Sequence, residues 1–455
     1  MLTSLKIKPT RKQHIAWKIL LDITTTILLY GGAAGGGKSW LGAEWLTSMC
    51  LSYANTRWFV ARDQLIDLRN STYITFQKVF RHHGISNKLW KYNGQDNYIE
   101  FHNGSRVYFI ATAYMPRDPL YERFGSFEFT GGWYEEAGQI MYQAFDTLNT
   151  RTGRHLNKEY NLKPMKLITC NPKKNWLYST IYAPWKQGII ADHVKFVQAF
   201  VSDNQFLDDS YEIGLNRIND EQLKSRLLDG NWEYAEDSRQ LISYESIIDC
   251  MNNGVYEPGP YKLGIDVARS GNDNTVVCVM LGNKVVEFRK KQDINPTQAA
   301  LSMVIPLIKQ YDILPSNIWI DTVGNGGGTF DRLLEAGYRC NEFISSAKPG
   351  SYQSKHKFKN KRHLHWYIMK TMFEDNKICF AEKDLQLADD LTAFRYNTDN
   401  EPWFEIEKKD ETAKRIGHSP DECDALMMVA TQGLRDKSSV ISSAYIDNSY
   451  DRVMM

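Results

Sequence analysis

Gly32-Ala33-Ala34-Gly35-Gly36-Gly37-Lys38-Ser39 satisfies the pattern G-x-x-x-x-G-K-[ST] at every position. Glycines in such a loop let the backbone close around phosphate oxygens and aim N–H groups at them. Lys38 then reaches the β/γ-phosphates, and the Ser39 hydroxyl suits Mg²⁺. Hydrolysis of a bound ATP needs two further groups, an acid for the magnesium and a group that orients the attacking water. The segment Phe127–Tyr134 runs directly into Glu135-Glu136. Acids at the end of an apolar strand stand where a sheet edge meets its ligand. Glu135 is expected in the magnesium shell and Glu136 at the water. The first acid in this arrangement is usually Asp, so Glu135 is a departure. Thr169 and Asn171 end the run Lys166-Leu-Ile-Thr169-Cys-Asn171-Pro172 and are candidate γ-phosphate sensors. Arg62 and Arg123 are alternative candidates to neutralise charge on the transferred phosphoryl group. Gln13, ahead of the first strand, is a candidate adenine contact.

A second chemistry lies in the other half of the chain. Asp266 ends Leu-Gly-Ile-Asp, Asp321 ends Ile-Trp-Ile-Asp, and Asp421 and Asp424 open Pro-Asp-Glu-Cys-Asp-Ala-Leu-Met-Met. Any one of these aspartates alone reads as a helix cap or strand end. Together, two carboxylates from neighbouring strand ends and one from a helix beside them can converge on two Mg²⁺ or Mn²⁺ ions, hard cations that prefer oxygen ligands. Two such ions about 4 Å apart activate water and stabilise the leaving oxygen of a phosphodiester. Asp421 and Asp424 lie at i, i+3 on one helix face, so both approach the ions; Asp421 is the first choice as ligand. Asp273 is a secondary candidate. Lys355, Lys357, Lys359, Lys361 and Arg362 gather with His356, His363 and Trp366, a composition that suits a DNA backbone or else a solvated charged face.

The elements that must carry these residues fall into two patterns. Residues 1–202 alternate strand and helix: strands at Thr26–Tyr30, Arg57–Ala61, Phe127–Tyr134 and Lys166–Thr169, a helix from Lys38 to about Leu51, and a hairpin turning at Asn103-Gly104. This implies a mostly parallel sheet covered by helices, a P-loop ATPase domain. Residues 203–257 read as a small helical linker or lid. From Tyr261 three strands follow in succession, then a helix, the strand Asn317–Asp321 and further helices, the opening of an RNase H-like nuclease domain over 258–436. The tail 437–455 is Ser-, Asp- and Tyr-rich and is expected to be disordered.

The bulk composition of the 455 residues excludes little. With 55 Lys+Arg against 54 Asp+Glu, net charge favours no polyanionic partner, so any nucleic-acid surface must be local. The seven cysteines form no C-x-x-C pair, which argues against zinc and a disulfide framework. No apolar run approaches the roughly 18 residues of a membrane span.

In combination and order, GGAAGGGKS, VARDQLIDLRNSTY, WYEEAGQI, LITCNP, GIDVARSGNDNTVV, WIDTVGNGGG, FKNKRHLHW and HSPDECDAL resemble the large subunits of tailed-bacteriophage terminases, over roughly residues 10–435. The resemblance implies an ATP-driven translocase that threads double-stranded viral DNA into a procapsid, and an endonuclease that cuts concatemeric DNA. It further implies a subunit ring on the portal protein and a small terminase subunit as partner; an isolated subunit is expected to be monomeric, and the scattered cysteines and the lack of a signal or membrane segment lead to an expected place in the host cytoplasm. In that pattern Lys38, Glu135, Glu136 and Thr169–Asn171 match the motor, and Asp266, Asp321 and Asp421 the nuclease. Two other readings remain: a DNA helicase or remodelling ATPase with a non-catalytic RNase H-like module, which would lack the acidic triad, and a transposase-like nuclease, which rarely carries its own P-loop motor.

Overall fold

Eight strands in the first half build one sheet in the computed structural model of the chain, which describes residues 5, 7–234, 237–268, 274–292, 294–323, 326–350, 354, 356–397 and 402–432. The chain divides into two compact units, Met1–Asp237 and Ser238–Met455. The first-unit strands are β1 (Ile27–Gly32), β2 (Arg57–Arg62), β3 (Trp90–Asn93), β4 (Tyr98–Phe101), β5 (Arg106–Ala111), β6 (Gly131–Tyr134), β7 (Lys166–Cys170) and β8 (Val194–Ala199). Their order is β3-β4-β5-β2-β6-β7-β1-β8. All neighbours are parallel except the β3-β4-β5 meander at one edge. Parallel strands covered on both faces must be apolar throughout, and Leu28, Leu29 and Tyr30 of β1 are fully buried. Asn103-Gly104 turns the β4–β5 hairpin as its composition predicts, with Gly104 at φ 82°. The expected strand 127–134 shrinks to β6, and β3 and β8 carried too little signal to be read.

The second unit holds β9 (Tyr261–Asp266), β10 (Asn274–Leu281), β11 (Lys284–Gln292), β12 (Ile318–Asp321), β13 (Asn341–Phe343), β14 (Lys357–Phe358), β15 (Cys379–Phe380), β16 (Tyr396–Asn397) and β17 (Trp403–Ile406). Six of them form the sheet β13-β12-β9-β10-β11-β15, and β14-β17-β16 form a small second one. β9, β10 and β11 are antiparallel neighbours, while β12 and β13 extend β9 in parallel. This is the meander-plus-parallel arrangement expected of an RNase H-like sheet.

The expected linker of 203–257 is not one piece. Residues up to Asp237 belong with the first unit, because Leu207, Leu215, Ile218, Leu227 and Leu228 pack with Ala33 and Val201. The helix Tyr244–Asn253 buries Tyr244, Ile247, Cys250 and Met251 within the second. Asp273, Lys355 and the tail 437–455 lie outside the described residues. No described helix is long and apolar enough to cross a membrane.

Candidate functional site

β1 leaves its sheet at Gly32 and the chain turns into the helix Lys38–Ser52. Gly35 and Gly37 take φ of 76° and 74°, which side chains with a Cβ adopt only under strain. The loop carbonyls are turned outward and held there. Gly35 O accepts from Asn204 Nδ2 (2.6 Å), Gly36 O from the Tyr30 hydroxyl (3.1 Å) and Gly37 O from Gln13 Nε2 (2.9 Å). Ala33 N–H and Ala34 N–H donate to Ala199 O and Leu227 O. Among the described residues, the N–H groups from Gly35 to Ser39 have no hydrogen-bond partner. A concave row of free amides at a helix N-terminus fits a phosphate chain.

The ammonium of Lys38 lies inside this curve. It donates to Ala33 O, to Gly32 O (3.3 Å) and to Asn171 Oδ1 (2.9 Å). Burial pulls its pKa down, and the charge of Glu136 opposes that. Asn171, just past β7, is thus brought to the loop. Thr169 is not: its hydroxyl accepts from Trp133 Nε1 (2.8 Å) and donates to Tyr134 O (3.4 Å), and the residue is 1 % exposed. Strand alternation sends Thr169 into the layer beneath the helix, so its expected role as a sensor is not supported.

Glu135 follows β6 and is 2 % exposed. Burial raises its pKa, while hydrogen bonds from Thr72 and Ser39 and the charge of Arg62 hold it down. Glu136 stands at φ 49°, a left-handed conformation costly for a glutamate. The two arginines differ. Arg62 ends β2 with its guanidinium 3.9 Å from Glu135 Oε2, and its Nε is buried with no hydrogen-bond partner among the described residues. Arg123 is held by Asp118 (2.7 Å) and Ala113 O (2.7 Å) and stacks over Tyr121 and Phe124. Gln13 reaches the loop as a brace: its Oε1 accepts from Thr10 N–H while Nε2 holds Gly37 O. Both ends of its amide are engaged, which leaves one N–H for an adenine.

In the second unit, β12 lies parallel to β9 with Ile320 opposite Ile265. The next residue on each strand is an aspartate, Asp321 and Asp266, at the same sheet edge. The helix Asp421–Ala430 crosses β9 at Gly264, where a Cβ would come 2.4 Å from Ala425 O. A glycine there lets the acidic first turn of the helix approach the strand ends. At the centre stands Lys409, which no local sequence pattern singles out. Its Nζ lies 2.8 Å from Asp266, 2.9 Å from Asp421 and 3.2 Å from Asp424. Burial would lower its pKa, but the three carboxylates raise it well above the ordinary lysine value. Burial raises Asp266 and Asp321, with the charge of Asp424 adding to both.

Asp421 is heavily committed: its oxygens accept from Ser419 Oγ (2.6 Å), from Asn274 N–H (2.9 Å) and from Lys409. Among the described residues Asp424 accepts only from Trp366 Nε1 (3.2 Å) and Lys409. No three described His, Cys, Asp or Glu side chains are grouped to hold a metal ion. The ammonium of Lys409 occupies the point on which three carboxylates converge, a cation standing in for a cation, and an all-carboxylate donor set fits Mg²⁺ or Mn²⁺.

The basic cluster is partly dispersed. Trp366 is fully buried, as the donor to Asp424, and His363 Nδ1 accepts from Ile406 N–H. Lys359 pairs with Glu405 and Arg362 donates to Glu407 O. Helical periodicity decides this, since within Lys361–Glu374 Leu364, Trp366, Ile368 and Met369 all face the core.

Residues 24–225 match the phage terminase large subunit family. A search of curated proteins returned no match. Among solved structures, the large terminase of a thermophilic bacteriophage is similar at 13% identity, with 93% of this chain and 99% of that one covered and a TM-score of 0.42. The bacteriophage HK97 large terminase is similar at 11% identity, 93% and 95% coverage and a TM-score of 0.44. The nuclease domain of the large terminase subunit of the bacterial virus Sf6 covers 42% of this chain and 98% of its own length at 19% identity, with a TM-score of 0.36.

Proposed function

We propose that this chain, which through residues 24–225 belongs to the phage terminase large subunit family, is an ATP-driven DNA-packaging motor that also cuts DNA. The observation that carries the reading is the curve of free amides from Gly35 to Ser39 with Lys38 inside it, faced by Glu135, Glu136 and Asn171. The loop amides and Lys38 bind the triphosphate. Ser39 and Glu135 hold Mg²⁺, which draws charge off the phosphate oxygens when bound. Glu136 orients the attacking water and accepts its proton. Arg62 lies on the metal side of the site and is the better placed arginine within one subunit; Arg123 would have to leave Asp118 to serve a neighbour.

For the nuclease, Asp266, Asp321 and Asp424 are assigned to the metal ions. Asp421 orients the cluster through Ser419 and the Asn274 amide, which reverses the preference drawn from the sequence. Two divalent ions there supply both the nucleophile and the stabilisation of the leaving oxygen. Lys409 keeps the carboxylates neutralised until they are engaged. Double-stranded DNA and the portal protein are the partners this function requires. A small terminase subunit and a ring of copies, acting in the host cytoplasm, complete the proposal.

The test separates the two activities. Lys38→Ala abolishes ATP turnover and leaves Mn²⁺-dependent plasmid cleavage intact. Glu136→Gln binds nucleotide but does not hydrolyse it. Turnover in Lys38→Ala at the wild-type rate would remove the P-loop assignment.

A further inference from the structure

We infer that Thr72 is a positioning residue for the magnesium-binding carboxylate of Glu135, and so sets the divalent-cation requirement of the motor; this rests on the nucleotide site proposed above. The segment Asp67-Leu-Arg-Asn-Ser-Thr72-Tyr does no chemistry in that site, yet its geometry is specific. Residues Leu68–Thr72 form a π-helical turn, closed by Tyr73 N–H donating to Leu68 O, before the helix Tyr73–His82 begins. Such a turn inserts one residue and rotates the succeeding helix face by about 100° relative to an α-helix. Thr72 at its end is fully buried and donates its hydroxyl to Glu135 Oε2. Arg62 faces the same oxygen from β2, at 3.9 Å.

The Thr72 hydroxyl and the Arg62 guanidinium meet the carboxylate at the same oxygen, Oε2. They fix the rotamer of a long side chain that stands where this kind of site more often has the shorter aspartate. Oε1 is left to address the cation, with the Ser39 hydroxyl close by the same carboxylate. A hydroxyl that orients a metal ligand from outside the coordination shell usually accounts for about 10–100-fold in metal affinity.

Thr72→Val keeps the shape and removes the donor; Thr72→Ser keeps the donor. Fluorescent ADP binding is measured with and without Mg²⁺, and ATP hydrolysis is titrated with Mg²⁺ at saturating ATP. Thr72→Val should bind ADP without Mg²⁺ as the wild type does, lose most of the Mg²⁺-dependent gain, and need roughly tenfold more Mg²⁺ for half-maximal turnover. Thr72→Ser should restore both. A Thr72→Val protein whose turnover falls with an unchanged Mg²⁺ midpoint would overturn the inference, as would a Thr72→Ser protein equally impaired in Mg²⁺ dependence. Thr72→Ala, read by the same ratio, serves if valine disturbs folding. Wild-type protein that binds no ADP at all would instead remove the nucleotide site itself.

Discussion

Lys409→Met removes an ammonium that faces three carboxylates at 2.8, 2.9 and 3.2 Å while keeping most of the side-chain length. The carboxylates left behind are poorly solvated, with Asp421 at 4% side-chain exposure, Asp424 at 15% and Asp266 at 19%. Breaking a buried ion pair by deleting one partner costs about 3–5 kcal/mol, because the remaining charge is uncompensated. Partial exposure of Lys409 and Asp266 places this case near the lower end, about 3 kcal/mol. For a unit the size of Ser238–Met455, each kcal/mol shifts Tm by about 2–4 °C, so the second-unit transition should fall by roughly 6–12 °C. Millimolar Mn²⁺ should recover most of that loss and raise the variant's Tm more than the wild type's, since a cation entering the wild-type cluster must displace the ammonium. Scanning calorimetry of the full chain, with and without Mn²⁺, reads both effects. Lys409→Met/Asp424→Asn removes both members of one pair and should recover part of the loss, because neighbouring sites couple by about 0.5–3 kcal/mol. A Lys409→Met protein that melts with the wild type and gains equally from Mn²⁺ would refute the idea that the ammonium holds the place of a metal.

Asp424→Asn should reduce cleavage beyond the roughly 10–100-fold expected for a group outside the coordination shell, and Asp421→Asn should stay within that range; plasmid cleavage in Mn²⁺ ranks them, and the reverse order returns the ligand role to Asp421. Arg62→Ala should slow ATP turnover of the isolated subunit about tenfold or more, the equivalent of one lost interaction with a charged group. Arg123→Ala should leave that turnover near wild type. Equal losses would show that Arg123 leaves Asp118 to act within its own subunit. His418, with Nε2 3.0 Å from Asp390 and little exposure, is opposed by burial but raised in pKa by that carboxylate. A raised histidine contributes stability that is complete below its unfolded pKa of about 6.5 and is lost as pH rises through the folded value. Chemical denaturation of His418→Gln should therefore lie closest to wild type above that value and fall furthest below it in acid. A constant offset across pH would assign the residue a packing role only.

Much of the chemistry was set by the residues themselves. The loop from Gly32 to Ser39 declares its conformation locally, because glycine spacing and a following helix determine where amides point. Asp266, Asp321 and Glu135 were legible because each closes an apolar strand, at the carboxyl end of a sheet where ligands are bound. Residues whose role depends on packing between distant elements were not legible. Lys409 opens a short polar helix and meets Asp266 across 143 positions of sequence, and nothing in its own neighbourhood marks it. Trp366 looked like part of a basic patch until helix packing turned it inward to Asp424. Thr169 and Asn171 looked equivalent, yet Thr169 is still within β7 and buries its hydroxyl against Trp133, while Asn171 lies past the strand's end and turns its carboxamide to Lys38. The linker divided at Asp237 for the same reason, since apolar steps in 203–234 close over Ala33 and no local signal says which core they will join. Sequence spacing determines which groups are available at strand and helix ends; tertiary packing decides which of them face one another.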